Sequence, residues 1–235
     1  MEPVLFYGVP HGCSFGSLVA LEWLGQPYRL CRIEMLEQLW DPLYAKVNPL
    51  FLTPALLLED GEALTESQAI LQHLAARGRA AGLGVVQGSR EFDRLSEMLA
   101  YLNTDFFAAF GPLWTLYEKQ GLGGVQQELL RQLGREAVEQ GCAHLDGLLA
   151  EREWLLGERR SLADAYLAGL IRWVRYHRLF DLEEGYPHLA RHVRKLQDDP
   201  AVHFAEAIER GDWPTGRGHF KGHVTLQELE PRLAA

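Results

Sequence analysis

Cysteine is scarce. Cys13, Cys31 and Cys142 are an odd number, widely spaced, in a chain of 235 residues. Without a CxxC pair or zinc-type spacing, neither a disulfide framework nor a thiolate metal site is expected. A reducing, cytoplasmic compartment is the simplest expectation. Basic residues are also in deficit, with 23 Lys and Arg against 32 Asp and Glu and a formal net charge of −9. Nucleic acid and anionic membranes call for a basic surface, so neither is expected as a partner. No apolar run approaches the roughly 20 residues of a membrane helix, and Met1-Glu2-Pro3 lacks the basic head and apolar segment of a signal peptide. What remains is 47% hydrophobic and 23% charged, the balance of a globular protein with room for one large domain or two smaller ones.

The most informative stretch runs from Thr53-Pro54 through Leu56-Leu57-Leu58 and the turn Glu59-Asp60-Gly61 to Glu66-Ser67. Proline donates no ladder hydrogen bond, so at the mouth of a strand it marks an edge or a special turn. A cis proline there turns the preceding N–H and C=O outward, where they can hold an extended peptide like an added strand. Glu66 and Ser67 open the next helix, whose free N–H groups and hydroxyl suit a carboxylate. Thr53, Pro54, Glu66 and Ser67 therefore predict a binding site for a small, acidic, peptide-like molecule.

Val4–Tyr7 reads as a buried strand, and a helical stripe succeeds it, stopped by Gly25 with Pro27 beyond. Tyr28–Ile33 is a second strand, 36–47 a helix, the run after Pro54 a third strand, Ala63-Leu64 a fourth, and 66–76 a third helix. That β-α-β-α-β-β-α order is a thioredoxin-like α/β layer. Residues 77–88 read as linker. Beyond the linker the pattern is helical: 90–119 with a kink at Gly111-Pro112, 125–149, 161–180, 187–197 and 199–210. Ser161-Leu162-Ala163-Asp164 is a capping-box start. The tail carries His219 and His223 around a glycine with no third ligand near, so no metal is expected, and it is expected to lie over the surface.

Val4–Tyr7, Gly12-Cys13-Ser14, Asn48-Pro49, Thr53-Pro54-Ala55-Leu56, Glu66-Ser67 and Ser161–Ala165, in that order, resemble the cytosolic glutathione S-transferase superfamily. Leu5-Phe6-Tyr7 with Gly12-Cys13-Ser14 is most similar to its bacterial beta class. The resemblance covers residues 3 to about 211. It implies a thioredoxin-like N-terminal domain (1–78), an all-α C-terminal domain (89–235, tail included) and a homodimer. It further implies glutathione as co-substrate, activated for attack on a small apolar electrophile or for thiol-disulfide exchange. Thr53 and a cis Pro54 would pair with the peptide backbone of glutathione, Glu66 and Ser67 would hold its γ-glutamyl end, and Asp105 would reach the partner subunit's ligand.

For the sulfur there are three candidates. Cys13 lies where a loop meets a helix, a setting whose N–H groups favour a thiolate; packing the loop is its plainer role. Ser14 is either a hydroxyl donor to the sulfur or a helix cap. Tyr7 is either a phenolic donor or a buried strand-end tyrosine. Two departures from the family pattern stand out. Leu50-Phe51-Leu52 replaces a glycine and a basic residue, leaving Lys46 or Arg32 to meet the glycine carboxylate. Phe107 and Ala108 occupy the place of a His-Lys pair. A non-catalytic binding or regulatory module is therefore the alternative to an enzyme.

Overall fold

The computed structural model describes residues 2–9, 11–35, 41–212, 214 and 219–233. Two compact units divide the chain: Met1–Phe92 with Asp198–Ala235, and Asp93–Gln197.

The first unit is built on a five-stranded sheet of order β4-β3-β1-β2-β5. Its strands are β1 (Val4–Val9), β2 (Tyr28–Glu34), β3 (Ala55–Leu57), β4 (Ala63–Thr65) and β5 (Phe220–His223). β1 is parallel to β2 and antiparallel to β3, and β4 is antiparallel to β3. Every residue of β1 is buried, as expected of a continuous apolar run sandwiched between two helical layers. On one face Val4 and Phe6 join Cys31, Ile33, Tyr44, Ala55 and Leu57 in a core. The other face is covered by α1 (Phe15–Leu24), packed against α3 (Ser67–Arg77) and α11 (Pro200–Arg210). Gly25 ends α1 in the left-handed conformation at φ +67°, its N–H on the Leu21 carbonyl, as the Gly25…Pro27 stop signal predicts. Of the helix expected over 36–47, residues 36–40 lie outside the described residues, and α2 runs Pro42–Val47.

The tail departs from expectation. Instead of lying loosely over the surface, residues 220–223 add β5 in parallel to β2, and α12 (Leu226–Leu233) packs on α2. The apolar spacing of Leu226 and Leu229 explains it, since both bury themselves in the core beside Val4 and Phe6. β2 would otherwise be an open sheet edge.

The second unit begins within α4 (Arg90–Tyr101) and holds a π-helical turn (Leu102–Phe106), α5 (Phe107–Ala109), α6 (Gly111–Glu118), α7 (Gly124–Leu149), α8 (Leu162–Tyr176), α9 (Leu182–Gly185) and α10 (Pro187–Gln197). The break expected at Gly111-Pro112 falls there, with the proline in the first turn of α6. The Ser161 capping box is more than a cap. Asp164 accepts the Ser161 N–H at 2.8 Å and the Leu155 N–H at 3.0 Å, and buried His192 places its Nε2 3.1 Å away. Among the described residues no helix is long and apolar enough to cross a membrane, and no cluster of His, Cys, Asp or Glu could hold a metal.

Candidate glutathione site

Strand register gathers the candidate residues of the first unit. Phe6 pairs with Ala55, and Ala55 with Thr65. The residues just before β3 (Thr53-Pro54) and just after β4 (Glu66-Ser67) therefore meet beside the carboxyl end of β1, where the loop to Cys13 begins. The Thr53-Pro54 bond is cis. A Cβ on Gly8 would overlap Thr53 Oγ1 and Met35 Sδ, and one on Gly12 would overlap the Gly8 carbonyl oxygen. Two glycines thus let the Cys13 loop close down against Thr53, whose hydroxyl lies 3.6 Å from Met35 Sδ.

Cys13 and Ser14 are treated differently. Cys13 is partly exposed at the start of α1, whereas Ser14 is 1% exposed. The Ser14 hydroxyl accepts the Gly8 N–H at 3.2 Å and makes no cap bond to α1. It fastens the loop that carries Cys13. Cys31 and Cys142 are core thiols, both pushed up to about 12 by burial. The Tyr7 phenol is hydrogen-bonded to His223 Nε2 at 2.9 Å, and burial, against the opposing pull of Arg32, raises it to about 12.

Glu66 precedes α3 at φ +70°, a conformation unusual for a residue with a side chain. It is exposed, while Ser67 is buried. Backbone strain of this kind collects at ligand clamps. Asp105 belongs to the second unit, exposed on the π-helical turn, its carboxylate accepting the Thr104 hydroxyl at 2.8 Å. π-bulges inside helices often mark functional positions. On the same stretch Phe107 packs on Trp173, which also meets Phe110 and Trp114 edge-on.

In the sequence Asn48 stands out only as part of an Asn-Pro stop. Its side chain instead builds the loop before Thr53. It donates to the Leu52 carbonyl at 2.8 Å and accepts the Leu50 N–H at 3.0 Å, while the Tyr44 hydroxyl donates to the same Leu52 carbonyl at 2.7 Å. Leu50 and Leu52 are left 65% and 52% exposed. Of the two basic candidates for a glycine carboxylate, Arg32 is engaged with Glu34 and the Glu209 carbonyl, whereas Lys46 is exposed in the last turn of α2.

This geometry can be set beside known proteins. Residues 12–77 match the glutathione S-transferase N-terminal domain model and residues 126–195 the C-terminal domain model. Glutathione S-transferase GstA of Escherichia coli O157:H7 is 30% identical over 207 residues, 87% of this chain and 98% of that protein. A sphingomonad glutathione S-transferase solved in complex with glutathione is similar at 31% identity and TM-score 0.76, over 88% of this chain and 98% of that one. A beta-class glutathione S-transferase of Sphingomonas chungbukensis shares 29% identity at TM-score 0.77, with the same coverage. With both domain models matched and a relative spanned almost end to end, the chain belongs to the glutathione S-transferase family.

Proposed function

We propose that the protein is a glutathione transferase in which Cys13, rather than Ser14 or Tyr7, meets the sulfur of glutathione. The observation that carries this reading is the contrast between the partly exposed Cys13 and Ser14, whose hydroxyl is buried on the Gly8 N–H. Tyr7 is held by His223 and its phenol is made harder to ionise by burial. Glutathione would lie extended along Thr53 and Pro54. Its γ-glutamyl carboxylate would meet Ser67 and the first turn of α3, and its ammonium the Glu66 carboxylate. Lys46 is the cation for its glycine end, and Asp105 is assigned to the ligand held by a partner subunit in a homodimer.

Chemistry then rests on the thiol. The glutathione thiol gives up its proton to solvent. Its sulfur forms a bond to an electrophilic carbon, and the leaving group departs with the electron pair. With a disulfide as acceptor, the same attack forms a mixed disulfide and expels a thiolate. A cytoplasmic location accords with chemistry that needs thiols kept reduced.

A binding or regulatory module is the second reading, favoured by Leu50 and Leu52 standing exposed beside Thr53. Retention on immobilised glutathione together with conjugation of 1-chloro-2,4-dinitrobenzene separates the two. Retention with turnover supports the transferase, retention without turnover supports the module, and no retention overturns the transferase. In the Cys13→Ala and Ser14→Ala variants, loss of turnover only in the Ser14 change would show that Cys13 is wrongly assigned.

A further inference from the structure

β1, β2 and β5 run parallel, and their carboxyl ends carry Tyr7, Arg32 and His223. Tyr7 is paired in register with Arg32, and His223 bonds to Tyr7. The end of α11 and the turn from β5 into α12 close over these three side chains, leaving a cavity of about 370 Å³. This volume is within the range of small-molecule sites, and the carboxyl ends of parallel strands are where α/β sheets bind ligands. Val224 is the partly exposed apolar residue of the lining, Ile208 and Leu226 being buried, and exposed Gln227 lines it as well.

Arg32 is the only cation lining the cavity among the described residues. Its Nε pairs with Glu34, and Nη1 donates to the Glu209 carbonyl at 3.3 Å. A guanidinium has more donors than these two bonds and its contact with the Tyr7 phenol use, and the Arg32 side chain keeps 34% of its surface open. The one carboxylate in the lining, Asp212, is ion-paired with Arg210 at 3.2 Å. Guanidinium donors beside an apolar side chain suit a carboxylate on a hydrocarbon body.

We propose that this cavity binds a small carboxylic acid with an apolar body, the carboxylate on Arg32 and the body against Val224. The site is built from the tail and the sheet edge, whereas the proposed glutathione site lies on the β3 side of β1. His223 is held neutral, its pKa lowered to about 4 by burial and by Arg32. Near neutral pH Arg32 is therefore the one cationic side chain of the lining, beside the Asp212 carboxylate.

The test is calorimetric titration of the full chain with 4-phenylbutanoate and, separately, with the uncharged 4-phenylbutan-1-ol. Saturable binding of the acid, at least fivefold weaker for the alcohol and for Arg32→Gln, is expected, with no change when glutathione saturates. Gln227→Trp, a bulkier side chain at an exposed position of the lining, should weaken the acid to the same degree and keeps the test open if Arg32→Gln fails to fold. Equal binding of acid and alcohol overturns the proposal, as does an acid affinity unchanged by either folded variant. Displacement of the acid by glutathione overturns it separately, by assigning the acid to the glutathione site.

Discussion

At the scale of single residues, the sharpest distinction is between two neighbours. Ser14→Ala leaves the Gly8 N–H buried without its acceptor and is expected to cost about 1–3 kcal/mol of stability, read from the urea midpoint. Cys13→Ala removes a partly exposed side chain, so its midpoint is expected to stay within about 0.5 kcal/mol while conjugation falls at least tenfold. Glu66 gives the opposite trade. At φ +70°, Glu66→Gly relieves strain worth about 1–3 kcal/mol, so the protein should gain stability while the KM for glutathione rises. A KM unchanged by that substitution would remove Glu66 from the site.

At the scale of elements, the close approach at Gly8 makes a separate prediction. Gly8→Val drives a side chain into Thr53 and Met35, so glutathione-affinity retention should be lost even if circular dichroism still reports a folded protein. Much of this layer is legible in the sequence. Proline before an apolar run, Gly25 with Pro27, and the Ser161–Asp164 spacing each encode a local backbone choice, and each element stands where that choice puts it. The illegible part depends on distant partners. Nothing near Ser14 says that its hydroxyl will fasten Gly8 rather than cap α1. Nothing near His223 says that it will meet Tyr7. The glycine and polar residues around His219–His223 read as tail because β5 takes its partner from β2, far back in the chain.

At the scale of the whole molecule, two histidines tie stability to pH. His177, in contact with Phe110, Trp114 and Tyr117, and His223, beside Tyr7, are both lowered from 6.5 to about 4, chiefly by burial. The charged groups near His223 are Arg32, which disfavours its protonation, and Glu34, held by Arg32. For His177 burial is the whole cause. The unfolded chain therefore binds more protons than the folded one between those values. The contribution is fully present above pH 6.5 and is lost as pH falls toward 4. Urea midpoints should decline across that interval, and Tyr7→Phe with His223→Phe should flatten the decline relative to wild type. A profile indifferent to those changes would locate the titration elsewhere.

The parallel pairing of β5 with β2 carries a consequence for how the protein is made. Tyr7 and His223 are 216 positions apart, and all of the second unit is synthesised between them. During translation the first four strands must wait with one edge of β2 uncovered, a period in which that edge can recruit other chains. The late closure of so long a loop should appear in refolding as a slow step that reports on Phe220 and Tyr28 after the helices have formed. Adding residues 212–235 in trans as a peptide to a chain shortened at Gly211 should suppress aggregation of the shortened chain. The tail would then act as this protein's own guard against self-association while it folds.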